Sequence, residues 1–421
     1  MKLPHPPPFL ERRGKVSLFI PGQYRRHLVA LPWQHPLETW HKRRVKLIPV
    51  KSGLSRHVVR FVESHRRRFA IKETTLVSAR REFMRYAELA RLEIPTLEPV
   101  GIVVRDEGVA TVETRVGWLR EEQSTGYLIT ALMERVVPDS FLFRRGFSTK
   151  NRNRIWDAVI RLFIQMHSRG VYWGDASLAN MLVKFSKEEI PEMGYRTTLG
   201  AVLADAETVE IHHSLSDSLR LADVEFFLES MLWTEADLQA SGMVRDPMMT
   251  QDDQQYLLTH YKERYAVEQE MQSFELVTQI DVDRLLGNFD VKGYGPLLLR
   301  HINEHKWYLS ERRGREIPLV EAAEDWYREI FKPVCRLLNE RGFVEYFSEK
   351  TASSLYVEIM EHKYLMSERQ GSDVGLVAAL EDFVSRDDRH GPLGALLNSI
   401  VKELTQLLTP LNPAAKNIYL S

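Results

Sequence analysis

Two stretches decide how this chain is read: Val171 to Val183, VYWGDASLANMLV, and Ala201 to Ile211, AVLADAETVEI. In the first, Asp175 and Asn180 stand five residues apart on a turn between apolar segments; in the second, Asp205 closes an apolar run. Strand ends of this kind bring carboxylate and amide oxygens together, the hard donor set that suits magnesium and nucleotide phosphates. Asp175 would accept or orient the proton of a substrate hydroxyl, while Asn180 and Asp205 would offer oxygens to a metal ion. Each residue alone has a plainer reading, with Asp175 capping a turn at Ser177, Asn180 as a turn residue and Asp205 ending a strand. What outweighs this is the ordered set Lys72, Glu82, Asp175, Asn180, Asp205, each at an element end.

Working back from that set, VKLIPV, VVRFVES and RRRFAIKE read as three short strands of a small antiparallel sheet, from Val45 onward. Gly53 sits in the first turn, KSGLSRH, where backbone amides could approach a phosphate; a turn glycine is the plainer reading. Lys72 ends the third strand. The segment ARREFMRYAELARLEI follows with Phe83, Tyr86, Ala87, Ala90 and Leu92 at helical spacing and Glu82 within reach of a strand lysine. PTLEPVGIVV and YLITALMERVV supply further strands, the second leading across to a larger lobe. Lys150 to Arg169 is an amphipathic helix ending at Gly170, and it delivers the chain into the Asp175 loop.

These residues carry a family resemblance. From about Val45 to Trp233 the chain resembles the protein-kinase-like superfamily, in particular its lipopolysaccharide-kinase-like branch. FAIKE is similar to the nucleotide-lysine strand, and ARREFMRYAELARLEIPTLEPV to the helix and strand that follow, which implicates Lys72 and Glu82. LITALMERV lies where the adenine-contacting hinge would be, so Ala131, Leu132 and Met133 are candidate backbone contacts. MHSRGVYWGDASLANMLV is similar to the catalytic loop, implying Asp175 as catalytic aspartate and Asn180 as a metal ligand; LADAE takes the place of the second metal-binding aspartate, Asp205. With its C-terminal part included, the chain resembles bacterial proteins that join such a domain to a DUF4032 domain.

The resemblance implies an α+β, bilobal fold, ATP and magnesium as cofactors, and transfer of phosphate to the hydroxyl of a small molecule, a glycan or an atypical protein acceptor. The departures matter. The glycine-rich loop is reduced to Gly53, Trp173 and Gly174 replace the usual histidine and arginine, and Ala206 and Glu207 replace phenylalanine and glycine. The alternative is a nucleotide-binding pseudokinase that regulates or scaffolds a partner through its C-terminal helices. Asp223, on the helix that begins near Ser216, is the candidate to brace Asp175 in place of the missing residues, through backbone contacts. That helix carries Leu219, Ala222, Phe226, Phe227 and Met231 on its apolar face. Only a dozen or so residues separate it from Asp205, too few to cradle a peptide.

The remaining chain sets the bounds. Its 421 residues and 44% hydrophobic content allow two or three domains, and a formal net charge of -1 leaves no global field to draw nucleic acid or membrane. The expected division is a basic, Pro-rich arm at 1–44, an N-lobe at 45–130, a C-lobe at 131–245 and a helical domain at 246–421. The arm is read as irregular, anchored by Phe19, Ile20, Trp33 and Trp40, and Lys184 to Gly200 as a surface loop. A single cysteine, Cys335, and the absence of a signal-like or membrane-spanning apolar run fit the cytoplasm. His212 and His213 are adjacent and show no metal-ligand spacing.

After about Arg245 the pattern turns helical, with helices at Tyr256 to Val267, Phe274 to Leu286 and Gly295 to Trp307. HKWYLSERRGREIPLVEAAEDWY from His305 then recurs as HKYLMSERQGSDVGLVAALEDFV from His362, nearly half the positions identical at an offset of 57. This reads as a repeated helix, turn, helix unit near 305–327 and 362–384, with Gly314 and Gly371 ending the first helices. Glu321, Glu324, Asp325, Glu381 and Asp382 oppose a nucleic-acid role, because they would meet phosphates. A protein partner fits better. Trp307, Tyr364, Trp326 and Phe383 are expected in the core.

Overall fold

A computed structural model describes residues 8–49, 57–114, 117–138, 148–190, 194–242, 247–281, 294–340, 344, 351–372 and 374–385. Gly53 lies outside the described residues. The chain divides into two units, Met1–Lys262 and Glu263–Ser421.

The first unit is α+β and begins with a seven-stranded antiparallel sheet. Its strands are β1 (Phe9–Arg13), β2 (Val16–Phe19), β3 (Lys46–Leu47), β4 (Val59–Ser64), β5 (Arg67–Thr75), β6 (Pro99–Thr114) and β7 (Gly117–Ala131), in the order β1-β2-β6-β7-β5-β4-β3. The three expected strands are therefore present as β3 to β5. His65 and Arg66 make the turn between β4 and β5 with φ of 50° and 65°, and Ser64 faces Arg67 across it. Two consecutive positive φ values give a turn whose twist matches that of the strands it joins. The hairpin delivers Lys72 to the middle of the sheet, opposite Leu128 of β7.

The N-terminal segment departs from expectation: it is not an irregular arm. Residues 9–19 form β1 and β2, of which β1 pairs with β2 and β2 with β6, and a short helix α1 (Arg25–Leu28) and helical turns follow. Three of the four expected anchors, Ile20, Trp33 and Trp40, are buried in one core with Phe69, Ile71 and Tyr127, while Phe19 is half-buried. Both indoles keep their hydrogen bonds inside it, Trp33 Nε1 donating to Leu28 O at 2.7 Å and Trp40 Nε1 to His35 O at 3.0 Å. Arginines between these anchors hid the alternation of Val16 and Leu18, which is too short to stand out by itself.

Helix α2 (Leu76–Arg91) lies against this sheet, capped where Thr75 accepts a hydrogen bond from Ser78 N at 3.1 Å. A side chain at Gly126 would come within 2.7 Å of Thr75 O and 2.8 Å of Ala79 Cβ, so the helix packs this close only because β7 carries glycine there. The buried stripe is Ala79, Glu82, Phe83, Tyr86 and Leu89, which turns a carboxylate inward.

The rest of the unit comprises β8 (Val136–Pro138), helix α3 (Thr149–Ser168), β9 (Val171–Tyr172), β10 (Met181–Ile190), β11 (Gly194–Leu203), β12 (Glu210–Ile211) and helix α4 (Asp217–Ala240). β10 pairs with β11 and β8, and β9 with β12, all antiparallel. Lys184 to Ile190 and Gly194 to Gly200 are thus paired strands rather than loop, and their backbone ladder holds without apolar alternation. The end of β11 is tied to the chain ahead of β6, where Leu203 N donates to Pro95 O at 3.0 Å and Thr96 Oγ1 to Leu203 O at 3.0 Å. Asp205 follows directly. Helix α5 (Gln251–Thr278) is continuous where two helices were expected, and the division between the units falls inside it.

The second unit is helical among its described residues: α6 (Tyr294–Arg313), α7 (Leu319–Trp326), a π-turn (Tyr327–Phe331), α8 (Lys332–Glu340), α9 (Ala352–Gln370) and α10 (Gly375–Ser385). Gly314 and Gly371 leave their helices with φ of 63° and 69°, as their positions in the repeat require. Contacts recur at the repeat offset. Ser310 Oγ donates to Lys306 O and accepts from Ile317 N at 3.0 Å, and Ser367 Oγ donates to Lys363 O and accepts from Val374 N at 3.2 Å. Trp326 is buried with Phe331 and Tyr356, and Phe383 packs against that core. Trp307 and Tyr364 are exposed, at 58% and 40%. His305 and Leu309, each two residues from Trp307, take the inward face, and two residues rotate a helical side chain to the opposite side.

Candidate active site

Lys72, Glu82, Asp175, Asn180 and Asp205 line one cavity of about 1440 Å³ in the first unit, with Ala131, Leu132 and Met133 on its wall. Lys72 Nζ lies 3.0 Å from Glu82 Oε2 and 3.0 Å from Asp205 Oδ2. Burial pulls the Lys72 pKa down, but Glu82 and Asp205 outweigh it and hold the ammonium above its ordinary range. Burial pushes Glu82 up to about 7, assisted by the charge of Asp205 and opposed by Lys72. Burial prevails at Glu82 because its carboxyl is almost wholly enclosed and shares one lysine with Asp205.

Tyr86 was not foreseen. Its hydroxyl stands 3.0 Å from Glu82 Oε1 and donates to Ala204 O at 2.7 Å, so α2 is fixed both to its own carboxylate and to the backbone ahead of Asp205. Glu207 was noted only as a replacement. Its carboxylate lies 3.8 Å from Lys72 Nζ and 3.5 Å from His57 Nε2, and its backbone amide donates to Asp205 Oδ1 at 3.0 Å.

The loop from Trp173 to Asn180 is held from three sides. Asp223 accepts from Trp173 N at 2.7 Å and from Gly174 N at 2.8 Å, the backbone brace expected of it. The Trp173 indole, fully buried, donates to Asp205 O at 3.0 Å, and Thr208 Oγ1 donates to Trp173 O at 2.8 Å. Thus Trp173 ties the Asp175 loop to the backbone of Asp205. Gly174 has φ of +78° with Thr208 O and Tyr172 Cε1 at 3.3 Å from where a Cβ would stand, so the turn there calls for glycine. Asn180 Nδ2 donates to Asp175 O and Oδ2, both at 3.1 Å, and Leu178 N donates to Ser230 Oγ of α4 at 3.3 Å.

Behind Asp223 is a buried relay that sequence reading missed. Tyr261 OH is 2.9 Å from Arg220 Nη1 and 2.6 Å from His167 Nδ1, and His167 Nε2 is 3.3 Å from Asp223 Oδ2. The guanidinium has only protons to give, so the hydroxyl accepts from it and donates to Nδ1. His167 is then neutral with its proton on Nε2, facing the carboxylate. Burial is also the largest influence on its pKa, which lies below the ordinary value despite Asp223. His167, Arg220 and Tyr261 carry no local motif; only the fold brings them together.

Among the described residues no group of three or more His, Cys, Asp or Glu side chains is set to hold a metal ion, and no helix is long and apolar enough to cross a membrane. A family model described as a domain of unknown function, DUF4032, matches residues 321–387. No curated protein matches the chain. Among solved structures the chain is similar to WaaP in complex with acyl carrier protein, at 16% identity over 60% of this chain and 92% of that one, TM-score 0.37. It is also similar to the Rio2 kinase from Chaetomium thermophilum, at 13% identity over 60% of this chain and 84% of that one, TM-score 0.32. An aminoglycoside-3'-phosphotransferase of type VIII is 15% identical over 58% of this chain and 93% of that one, TM-score 0.35. In the first unit the Lys72 and Glu82 pair, the Asp175 loop and Asp205 line a single cavity.

Proposed function

We propose that the first unit is a phosphotransferase that uses ATP with magnesium and transfers phosphate to a hydroxyl on a small molecule, a glycan or an atypical protein acceptor. The observation that carries this reading is Lys72 Nζ held 3.0 Å from both Glu82 and Asp205 in the cavity that Asp175 lines. The ammonium is positioned to meet nucleotide phosphates, and Glu82 fixes its direction. Ala131 N donates to Glu98 O and Leu132 N to Arg68 O, so among these three residues the Met133 amide is the donor best placed to meet a purine edge.

The donor chemistry fits magnesium. Asp205 brings carboxylate oxygens, and Asn180, whose Nδ2 is turned to Asp175, has its amide oxygen left to offer. Ala204 N donates to Asn180 O at 2.8 Å, which keeps the two ligands' backbones adjacent. Magnesium, when bound, neutralises charge developing on the phosphates; two protein ligands suffice when phosphate and water oxygens complete the shell. Asp175 orients the acceptor hydroxyl and takes its proton. The bracing of the Asp175 loop by Asp223 and Trp173 supports catalysis over nucleotide binding alone, since the altered loop was the ground for the pseudokinase alternative.

The test is ADP release by the full chain with magnesium and ATP. Asp175→Ala is expected to abolish release while keeping nucleotide binding, and Asp205→Asn to lose metal-dependent binding as well. Protein that neither binds nor turns over nucleotide with magnesium or manganese would end this reading. ATP binding without turnover, equal in wild type and Asp175→Ala, would select the pseudokinase.

A further inference from the structure

The cavity has a second half whose chemistry differs from the Lys72 half. Helix α4 contributes Phe226, Ser230, Trp233, Thr234 and Asp237 to the lining, a single stripe at helical spacing. Ser230 fixes where that stripe runs, because its hydroxyl accepts from Leu178 N of the Asp175 loop. One turn beyond it stand Trp233 and then Asp237. Trp233 is 57% exposed, yet its ring is held edge to face by Phe226 with centroids 5.9 Å apart. A large indole left more than half exposed beside the cavity offers an incoming ligand apolar surface. On the facing ribbon, Tyr172 of β9 is the cross-strand partner of Glu210 of β12, and both line the same cavity.

Charge separates the halves. Lys72, Arg81 and Arg85, the lysine and arginines that line the cavity among its described residues, come from β5 and α2. None lines the half made by β9, β12 and α4, where Asp175, Glu210 and Asp237 gather around Tyr172, Phe226 and Trp233. A phosphorylated or carboxylated acceptor would bring its charge against three carboxylates with no lysine or arginine among the described residues of that half to meet it; the His212 imidazole there lies 3.2 Å from Glu210. A cation would find both attractive partners, carboxylates and the negative faces of aromatic rings.

We propose that the acceptor is a hydroxylated compound bearing a protonated amine, seated on Trp233 with its ammonium toward Asp237 and Glu210 and its hydroxyl presented to Asp175. This rests on the phosphotransferase reading. The acceptor oxygen forms the new bond to the γ-phosphorus as the bond to the bridging oxygen breaks, its proton passes to Asp175, and ADP leaves. Glu210 and Asp237 are then specificity residues and take no part in the transfer.

The test compares three ligands of one ring size on the full chain, in low salt at pH 7 and without nucleotide: glucosamine, glucose and glucose 6-phosphate, titrated by calorimetry into the millimolar range. Glucosamine is expected to bind roughly ten-fold tighter than glucose, and glucose 6-phosphate weakest of the three. The pair Glu210→Gln with Asp237→Asn is expected to erase the preference for glucosamine, and Trp233→Ala to weaken all binding while Trp233→Phe keeps most of it. These positions are exposed, so unchanged melting temperatures should accompany the losses. Equal or tighter binding of glucose or glucose 6-phosphate, or no binding of any of the three, overturns the proposal. ATP with magnesium is titrated separately. If ATP fails to bind, the phosphotransferase reading falls; if ATP binds and glucosamine has no advantage, the acceptor class alone is wrong.

Discussion

A histidine facing an aspartate occurs in both units, in different service. In the first unit His167 and Asp223 are completely buried, and the carboxylate spends its remaining capacity on the amides of Trp173 and Gly174. In the second unit the pair appears twice at the repeat offset, His305 with Asp325 at 2.8 Å and His362 with Asp382 at 2.6 Å, each joining the two helices of one repeat. The difference lies in what the carboxylate holds besides the histidine. Asp223 holds a loop that lines a cavity, so its loss reaches the chemistry; Asp325 and Asp382 join helices, so their loss should stop at stability.

The largest expected effect breaks that contrast at Asp223. Asp223→Ala leaves a buried amide, a part-buried amide and a buried imidazole without their acceptor, which costs on the order of 3 kcal/mol. ADP release should fall at least about 100-fold through kcat, as loss of a positioned catalytic loop does. Urea unfolding and steady-state kinetics on the same protein measure both. Wild-type kcat in Asp223→Ala would show that Asp175 is placed without the brace. Tyr261→Phe sharpens the point, because it removes the proton given to His167 Nδ1 and should produce a smaller loss in the same direction.

The next effect concerns a histidine with no carboxylate. His301, in α6, is 5% exposed, and its Nδ1 has no hydrogen-bond partner among the described residues. Burial depresses its pKa to about 3, with the charges of Lys363 and Arg300 acting in the same direction. A base whose folded pKa is depressed supports the fold above its unfolded value of 6.5, and that support is lost as pH falls below it toward about 3. By pH 4.5 the loss amounts to about 2 to 3 kcal/mol. His301→Leu should therefore flatten the acid limb of a stability-against-pH curve. Identical limbs for both proteins would mean that other groups govern it.

These two cases also show what sequence can and cannot carry. The set Lys72, Glu82, Asp175, Asn180 and Asp205 was legible from its order within local apolar patterns, and the structure brings all five to one cavity, although Lys72 lies inside β5, which runs on to Thr75, and Glu82 inside α2, rather than at element ends. Asp223 was legible as a carboxylate on the next helix once the loop was seen to lack its usual supports. Tyr86, His167, Arg220 and Tyr261 were not, since their partners lie on other elements and a buried polar residue on an amphipathic helix resembles an ordinary one. In the N-terminal segment the tryptophans announced a core, but β2 pairs with β6, far along the chain, and short strands near a sheet edge have little periodicity of their own. Trp307 and Tyr364 erred the other way: aromatic type suggested burial, while helical phase relative to His305 and His362 settles exposure.

The smallest effect tests whether the two repeats are energetically equal. Asp325 has 13% of its side chain exposed and also meets Arg313 at 3.6 Å and Arg328 at 3.5 Å, whereas Asp382 is 33% exposed. Greater exposure lets water compete for the same hydrogen bond and screens its charge. His305 is the more buried histidine, and burial holds its pKa below the ordinary value even beside Asp325. It is therefore neutral at pH 7, and the pair works there as a hydrogen bond between helices rather than as an ion pair. Asp325→Asn should then be mild, since an amide oxygen still accepts from the ring, while Asp325→Ala should cost about 1 to 2 kcal/mol and Asp382→Ala about half as much. Denaturant melts of the full chain, followed by far-ultraviolet dichroism, would measure both, with nucleotide binding unchanged in each. Equal losses at the two positions would show that the shared sequence, rather than local burial, sets the strength of the pair.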